Sequence, residues 1–567
     1  MGSLLSGLLR PAPKLWILSL AGLISLALWL AGCGESPPAP EASTRAAQTV
    51  QATLAPTPTP LPPTAAPTPH VGVVEAGSAI PTGFNPLLPD NAPSQRVTDN
   101  LFDSLLRVNA QSAVLEPALA SQWTLSTEGV TVTFRLRDDV LWHDGQPFTA
   151  DDVVYTFDAI RDPKLGSPFQ ANLAGVARFY APDRQSFVVA LTYPDCSALY
   201  AIGQVPILPR HLLAGKDSPA EGFNTTNPVG TGPFKFKAKL PGGEVHLERN
   251  ERYFAGAPQF PEWTYRPISE TQQLVRDLET GAVDLAPVPR ETIGAFSAGS
   301  PVSVTAYLQP EYYVVILNTA YPPLADVKTR QALAEAIDRS RLVQEVLQGH
   351  GRVIESSWLP GHWASSGPAA SLEYNPDVAR RLFSEAGWED QNKDGLLDKK
   401  GVPLEISLSV NVENPLRKGA ALAVQHDWIT NGVSAEVHFV NFPSLVEKLF
   451  AHKFQAAIFS WPVHPDPDQS QIWASGEAEK YVGFNFGSYS NPSVDDALAR
   501  GLAAAGCDGP ARAKAYQQAV AALAQDRPYI FLFVPEAFLA ANRQLAGVQP
   551  GPYADLSWNI PQWRWPR

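Results

Sequence analysis

The chain has 567 residues, which is too long for a single hydrophobic core, so two or three lobes are expected. Its hydrophobic content of 45% and charged content of 17% fit a soluble globular protein with a rather neutral surface. The 43 basic and 56 acidic residues leave a formal net charge of −13, which argues against nucleic acid and anionic lipid surfaces as partners.

The first 32 residues have the pattern of an export signal. Arg10 and Lys14 precede an apolar run, Leu15–Leu30, that is short for a membrane-spanning helix of about 20 residues. The run ends in Leu30-Ala31-Gly32-Cys33, which resembles the bacterial lipobox, in which the signal is cut before the Cys and the thiol receives diacylglycerol. We expect residues 1–32 to be a lipoprotein signal peptide and Cys33 to be lipidated, since two or more acyl chains make a stable anchor. The alternative is an uncleaved signal anchor.

The segment after Cys33 has the composition of a tether. Residues 34–69 contain ten prolines and no aromatic residue. Such a segment buries too little apolar surface to fold. We therefore expect residues 33–70 to be the lipidated Cys followed by a disordered Pro/Ala/Thr-rich linker that holds the globular body off the membrane.

From residue 71 onward, local patterns predict both strands and helices. Thr131–Leu136 alternates at period two, which is typical of a half-buried strand. Thr149 followed by Asp152 is a helix-capping pattern. Apolar residues at 333, 336, 337 and 343 predict one long helix, Val327 to Gln348, ended by a glycine. The apolar run from Phe454 to Phe459 predicts a buried strand.

The stretch after that strand has an unusual composition: Phe459-Ser460-Trp461-Pro462-Val463-His464-Pro465-Asp466-Pro467-Asp468. Its three prolines exclude a helix, because proline removes a donor and pushes its predecessor toward extended backbone. A large aromatic face beside an imidazole and two carboxylates, on a loop leaving a buried strand, often lines a small-molecule cleft. The alternative is a surface loop with a packed Trp and solvated acids.

Two further patterns leave alternatives open. Cys196 and Cys507 are two cysteines in a compartment that permits disulfides, so they can pair with each other. The alternative is two free buried thiols. Asp390 to Gly395 opens like a calcium loop, yet Gly401 stands where the bidentate Glu is needed, so a plain loop is the alternative. No metal site is predicted.

The sequence lacks the common motifs of catalysis and cofactor binding. It contains no Gly-x-Ser-x-Gly, His-Glu-x-x-His, Walker-type or Gly-x-Gly-x-x-Gly pattern, and its ten histidines are scattered without metal-ligand spacing. We therefore expect neither an enzyme nor a bound cofactor.

Several motifs between residues 71 and 565 follow one another in the order of a known family. They are Leu101-Phe102-Asp103-Ser104-Leu105-Leu106, Leu115 to Trp123, Trp142 to Val153, Pro206 to His211, Asn227 to Phe234, Gly281 to Asp284, Val327 to Leu333 and Asn375 to Arg380. In these motifs the chain resembles extracellular solute-binding protein family 5, the dipeptide-, oligopeptide- and nickel-binding components of ABC importers.

The resemblance implies an α/β fold of two hinged lobes, as in periplasmic binding proteins, with an extra domain inserted in the first lobe. It implies lobe I at residues 71–106, 227–308 and 533–567, the extra domain at 107–226, and lobe II at 309–532. The ligand is enclosed as the lobes close. It also implies an extracytoplasmic, lipid-anchored monomer at the cell membrane whose partner is an ABC permease.

The resemblance also implies ligand contacts. In dipeptide- and oligopeptide-binding members, an aspartate three residues after the loop Trp holds the ligand's α-ammonium, but here that position is His464. A neutral imidazole supplies no charge, so Asp466 or Asp468 is expected to reach the ligand instead, or the ligand is not an ordinary peptide with a free N-terminus. Asp90, Asn91 and Phe169 match further contacts; the alternatives are a solvated turn and a core ring.

These features predict a substrate-binding lipoprotein of an ABC importer that captures a peptide or peptide-sized solute. An oligosaccharide or a metal chelate is the alternative ligand on the same fold. A different class of protein would be an envelope enzyme with His464 as general base and Asp466 or Asp468 orienting it. A sensor that passes its closed state to a membrane signalling partner is the third alternative.

Overall fold

Most strands belong to one large sheet. A computed structural model of the protein describes residues 72–88, 91–215, 227–365 and 374–566, so Cys33, Asp90 and the predicted signal and linker lie outside the described residues. The strands are β1 (Val73–Gly77), β2 (Leu106–Val108), β3 (Leu115–Pro117), β4 (Ala120–Leu125), β5 (Thr131–Leu136), β6 (Val176–Asp183), β7 (Ser186–Leu191), β8 (Phe234–Lys239), β9 (Val245–Arg249), β10 (Glu262–Pro267), β11 (Leu285–Val288), β12 (Val302–Leu308), β13 (Glu311–Leu317), β14 (Gly351–Val353), β15 (Asp398–Lys399), β16 (Val402–Pro403), β17 (Glu405–Asn411), β18 (Ser434–Val440), β19 (Ala456–Pro462) and β20 (Tyr529–Asn542). The main sheet has the order β18-β17-β19-β13-β20-β11-β1-β10-β9-β8, and β12 and β14 also pair with β20.

Helices cover this sheet and fill the connections. The α-helices are Ala92–Leu101, Ala150–Arg161, Ala198–Gly203, Arg210–Leu213, Thr271–Thr280, Pro322–Ala325, Val327–Glu335, Arg339–Leu347, Pro376–Glu385, Pro415–Thr430, Phe442–Phe450, Ser470–Trp473, Pro492–Leu502 and Gly509–Asp526. Short 3-10 turns are Pro168–Leu173, Arg290–Ala295, Ser475–Ala478, Ala505–Cys507 and Ile560–Gln562. Within the described residues, no helix has the length and apolar character needed to span a membrane.

The longest strand, β20, is shared by the two halves of the main sheet. Its first residues pair with β13, with Tyr529 opposite Ile316, and its last residues pair with β11 and β12, with Ala541 opposite Leu285. β12 and β13 both run antiparallel to β20 and are separated only by residues 309 and 310. The chain therefore crosses between the halves twice, and the predicted α/β fold with two lobes is confirmed.

A second, smaller sheet stands apart from the main sheet. β4, β5, β7 and β6 form an antiparallel sheet in that order, against which helix Ala150–Arg161 packs. All four strands lie within residues 107–226, the predicted extra domain. In the main sheet, β20 runs across the predicted boundary at 532/533, and the division into two lobes and an extra domain at these residues stays a prediction.

The two cysteines whose state the sequence left open form a disulfide. Cys196 and Cys507 have a Cα–Cα separation of 5.4 Å and are 311 residues apart in the chain. Cys196 lies in the predicted extra domain and Cys507 in predicted lobe II. The alternative of two free thiols is therefore wrong.

Capping side chains set where several helices begin and end. The Asp152 carboxylate accepts the Thr149 backbone N–H at 2.9 Å, which completes the capping pattern at the start of Ala150–Arg161. The single helix predicted from Val327 to Gln348 is wrong, because the chain leaves the helical conformation before Asp338. The Asp338 carboxylate accepts the Arg341 N–H at 2.9 Å and so begins a second helix, Arg339–Leu347.

The two faces of β13 have different neighbours. Tyr313, Val315 and Leu317 belong to a buried core that also includes side chains of helices Val327–Glu335, Arg339–Leu347 and Pro415–Thr430. Successive strand residues point to opposite faces, so Tyr312 lies on the other face. Trp461 of β19 stands directly opposite Tyr312 in the register, and therefore lies on the face away from this helical core.

Candidate functional site

The loop after β19 lies at a position where α/β sheets commonly bind ligands. β17 pairs in parallel with β18 on one side and with β19 on the other, so the strand order reverses at β17. Helix Pro415–Thr430 packs into the helical core, whereas Phe450, which ends helix Phe442–Phe450, contacts Phe486 on the other face. The carboxyl ends of β17 and β19 therefore border a crevice at a topological switch point. Residues 462–468 leave the sheet there.

Trp461, at the end of β19, is mostly used in packing. Its side chain stacks on Phe486 with ring centroids 5.6 Å apart and meets Phe459 and Phe484 edge-on. Only 5% of its surface is exposed. A ligand would therefore reach this indole only at its edge, and not across the open aromatic face that the sequence led us to expect.

The polar end of this indole lies beside the Tyr529 hydroxyl. Burial raises the pKa of Tyr529, and the contact with the Trp461 side chain opposes that rise. Among the described residues, neither Trp461 Nε1 nor the buried Tyr529 hydroxyl has another hydrogen-bond partner. Two polar groups with no other partner thus lie on the face of the sheet next to the crevice.

His464 is the exposed member of the loop. Its imidazole is open to solvent and makes no hydrogen bond with the residues that the structure describes. Desolvation by the surrounding protein lowers the pKa of His464, and the nearby charge of Asp466 opposes that shift. A side chain on the wall of a crevice is accessible to solvent and is also desolvated by the protein around it, and His464 has both properties. The imidazole is neutral at neutral pH.

Asp466 is engaged inside the protein. Arg512 Nη2 contacts both of its carboxylate oxygens, at 3.0 and 2.8 Å, and both side chains are almost fully buried. Burial raises the pKa of Asp466, and the Arg512 guanidinium opposes the rise. Releasing Asp466 to a ligand would leave Arg512 buried without its counter-charge, which is costly.

Asp468 is half-buried and titrates near neutral pH. Its Oδ1 accepts the Ser470 hydroxyl at 2.6 Å and the Tyr516 hydroxyl at 3.4 Å. Burial, then the charge of Asp466, raises the pKa of Asp468 to about 7, while the Ser470 hydrogen bond acts in the opposite direction. Asp468 is thus only partly charged at neutral pH.

A histidine that the sequence analysis missed holds the loop in place. His362 Nδ1 accepts the Ala364 N–H at 3.0 Å, so its Nε2 carries the hydrogen and donates to the Pro465 carbonyl at 3.0 Å. Burial lowers the pKa of His362 to about 4, which keeps the ring neutral. Trp358 and Trp363 stack near the imidazole, at 6.0 and 5.7 Å between centroids. The sequence signal for this position was the close spacing of these three aromatic residues.

Two further residues of the predicted site, Asn91 and Phe169, are described by the structure and lie near each other. Asn91 caps helix Ala92–Leu101 by accepting the Ser94 N–H at 2.8 Å. Phe169 is half-buried on the turn Pro168–Leu173, and the preceding Ser167 donates to the Leu87 carbonyl at 2.9 Å. This bond brings the Phe169 turn next to the segment that leads to Asn91. Ligand contact by either residue stays a prediction, as it does for Asp90.

The sequence analysis also missed a charged cluster in the predicted lobe I. Arg96 Nη2 donates to Glu75 at 2.8 Å, and Arg96 Nη1 donates to Asp555 at 3.3 Å. Burial, followed by the charge of Asp555, raises the pKa of Asp99 well above its ordinary value. Three acids therefore surround one guanidinium, and the raised pKa of Asp99 favours the protonated form of this acid. Sequence spacing pairs only Arg96 with Asp99, because the other two acids are far away in the chain.

The described residues contain no group of three or more His, Cys, Asp or Glu side chains arranged to hold a metal ion. Asp390, in the stretch that opens like a calcium loop, instead accepts the backbone N–H groups of Asp394 and Gly395, both at 3.1 Å. These bonds are what a self-contained turn requires.

Comparison with known proteins gives consistent results. The family described as bacterial extracellular solute-binding proteins, family 5 Middle, matches residues 114–481. The oligopeptide-binding protein AppA of Bacillus subtilis is 30% identical over 495 residues, which cover 85% of this chain and 89% of AppA. The structure of AppA with a nonapeptide has a TM-score of 0.62 at 27% identity and covers 88% of this chain and 99% of AppA. NikZ of Campylobacter jejuni in complex with Ni(L-His) has a TM-score of 0.66 at 27% identity and covers 88% and 100% of the two chains.

Proposed function

The chain belongs to the bacterial extracellular solute-binding proteins of family 5, a family of binding proteins, and from this membership we propose that it binds a peptide or peptide-sized solute and delivers it to an ABC permease. The family places the protein outside the cytoplasm. We further propose that it is a monomer held at the membrane by lipidated Cys33. The observation that carries the ligand proposal is the loop with exposed His464 at the switch point of lobe II, in a chain related to an oligopeptide-binding protein.

Closure of two lobes supplies the signal that a permease can read. In the described part of the chain, the backbone crosses between the lobes at two places, between β12 and β13 and within β20, so bending at few positions changes the separation of the lobes. A ligand that contacts both lobes binds the closed arrangement more tightly and shifts the population toward it. The proposed function needs no covalent chemistry.

The loop supports binding better than catalysis. A general base of the His–Asp type needs a carboxylate to orient its imidazole. His464 makes no hydrogen bond to Asp466 or Asp468, which both lie in the described part of the chain, and Asp466 is held by Arg512. These contacts favour a binding protein over the envelope enzyme that the residue types allowed.

The same contacts restrict the ligand. The ammonium of a free peptide N-terminus is best held by an ionised carboxylate. In this loop Asp466 is already paired and Asp468 is only partly charged, while His464 is neutral. We propose that the ligand presents an uncharged or blocked group to His464, as an N-acylated peptide does.

A metal chelate is the second candidate, because His464 has the properties of a metal ligand. Its imidazole is exposed, neutral and not hydrogen-bonded to any described residue, and neutral imidazole is a common ligand of transition metals. NikZ, whose structure contains Ni(L-His), is among the similar proteins. In this case the chelating solute supplies the remaining ligands.

Thermal unfolding and calorimetry with matched probes test the proposal. One synthetic nonapeptide is used with a free N-terminus and with an acetylated one, and Ni(L-His) is the third probe. We expect the acetylated peptide to raise the Tm of the wild type by mass action. His464→Asp should strengthen binding of the free peptide by about 10-fold or more, as a charge-assisted hydrogen bond contributes roughly 1.5–3 kcal/mol.

Val463→Ala is the control, since Val463 lies in the same loop and its backbone N–H donates to Pro310 O at 2.8 Å. If neither peptide binds but Ni(L-His) does, the peptide proposal is wrong and the second candidate stands. If both peptides bind and His464→Asp changes neither affinity, His464 does not stand at the N-terminus of the ligand.

A further inference from the structure

The Cys196–Cys507 disulfide joins two parts of the protein whose backbone connection runs through lobe I. Cys196 follows β7 of the small sheet, and Cys507 precedes helix Gly509–Asp526 of lobe II. Along the backbone, the path from Cys196 to Cys507 passes through lobe I and the crossing between β12 and β13. The disulfide is a further covalent connection, and it bypasses that crossing.

Noncovalent contacts surround this bond and define a seam between the extra domain and lobe II. The Cys196 N–H donates to the Leu502 carbonyl at 2.9 Å. Trp363 Nε1 donates to the Tyr200 hydroxyl at 2.9 Å, and the Trp363 backbone N–H donates to the Ser112 carbonyl at 3.0 Å. Each such hydrogen bond exchanges readily for a bond to water when two parts separate. The disulfide does not.

The extra domain is also attached to lobe I. The Ala120 N–H donates to the Leu105 carbonyl at 2.9 Å, and the Ile207 N–H donates to the Asp103 carbonyl at 3.0 Å. His143 brackets the Gly230–Gly232 turn, with its Nδ1 accepting the Gly230 N–H at 3.1 Å. The extra domain therefore stands between lobe I, to which it is bonded along its chain ends, and lobe II, to which the disulfide binds it.

We propose that the Cys196–Cys507 disulfide is a covalent clasp that limits how far lobe II moves away from the extra domain when the ligand cleft opens. The inference rests on the proposed function, because a clasp matters only if the lobes move. A disulfide holds its two Cα atoms within a few ångström of each other. Hinge bending at the crossings near β20 is therefore restricted to motions that keep the seam nearly closed.

The clasp predicts two effects of its removal. Without the bond, noncovalent contacts such as these hydrogen bonds hold the seam, so it should open more often. The lobes should then open more widely, and a bound solute should leave faster. The core of lobe II should not change, because none of its buried residues depends on the bond.

Hydrogen–deuterium exchange of the unliganded full-length chain in detergent tests the clasp. Three samples are compared: the wild type, Cys196→Ser/Cys507→Ser, and wild type reduced with a phosphine. The phosphine gives two electrons to the disulfide, and water supplies the oxygen of the phosphine oxide and the two protons of the thiols. We expect seam amides, including those of residue 196 and Trp363, to exchange at least 10-fold faster in the variant and in the reduced wild type. The amides of β17 should exchange at wild-type rates.

Trp363→Phe is the matched control, because it removes one hydrogen bond from the seam and keeps an aromatic ring. We expect it to accelerate seam exchange much less than loss of the disulfide does. Unchanged exchange after loss of the disulfide would overturn the proposal. So would equal acceleration by Trp363→Phe, or acceleration that extends to β17, since the bond would then be either redundant or needed for the whole fold. No ligand is involved, so failure of the peptide experiment and failure of the clasp are separate results.

Discussion

At the scale of single residues, Arg512 decides which acid of the loop is available. A guanidinium buried this deeply requires an opposite charge, and Asp466 supplies it. Asp468 lies next to the pair but receives hydroxyl donors and not a cation, so burial and the charge of Asp466 control its protonation. Two aspartates in the same Pro-rich loop thus have different roles.

The pH dependence of stability tests the role of Asp468. Its ordinary pKa is 3.8 and its pKa in the folded protein is about 7, so between these values the folded state binds more protons than the unfolded state. The contribution of Asp468 to the free energy of unfolding should therefore fall as the pH rises from about 4 to 7. Asp468→Asn stays neutral and keeps an oxygen for Ser470, so it should be more stable than the wild type at pH 8 and show no such gain at pH 4.

Urea unfolding at pH 4, 5, 6, 7 and 8 measures this difference. Exposed Asp138→Asn is the control and should show a constant difference from the wild type. A constant difference for Asp468→Asn as well would show that folding does not raise the pKa of Asp468.

At the scale of elements, short polar contacts place the breaks between helices. The apolar spacing across residues 333–343 continues through Ala336 and Ile337, which are fully buried, and that is why the sequence suggested one helix. The backbone N–H of Asp338 donates to Asp427 at 3.0 Å and its carboxylate caps the following helix. A local side-chain acceptor thus outweighs the continuous apolar pattern.

Asp338→Ala should lower the free energy of unfolding by about 1 kcal/mol, because the N–H groups at the start of Arg339–Leu347 lose their acceptor. Asp338→Asn retains an acceptor oxygen and should lower it much less. Chemical denaturation of the three proteins gives the values. Equal stability of the Ala and Asn variants would contradict a capping role.

At the scale of the whole molecule, the proposed importer component needs both a mobile pair of lobes and an attachment to the membrane. The lobes are described by the structure, whereas the attachment is a proposal that rests on the sequence before residue 71. We expect the two functions to be separable, because the composition of the predicted Pro-rich linker buries too little apolar surface to fold.

Cys33→Ser should move the protein from the membrane fraction to the soluble fraction of the expressing cells, since the variant has no thiol to receive diacylglycerol. Immunoblots of the two fractions measure the shift. Cys196→Ser removes a cysteine of the disulfide and should leave the distribution unchanged. Retention of Cys33→Ser in the membrane would favour an uncleaved signal anchor.

The sequence by itself determined what depends on neighbours along the chain. The period-two pattern of Thr131–Leu136 is the whole of β5, and the Thr149–Asp152 pattern begins a helix where expected. The ordered motifs also identified the family and its two-lobed fold. Each of these features arises from contacts within a few residues or from a chain-wide pattern, which sequence records directly.

Only the tertiary structure decided which side chains of the candidate site are free. Asp466 pairs with a residue 46 positions away, His362 reaches Pro465 across 103 positions, and Cys196 meets its partner across 311. The buried pair, the desolvated imidazole and the disulfide result from how the sheet and the extra domain pack together. Residue types show what chemistry is available, but packing determines which groups are paired, neutral or exposed.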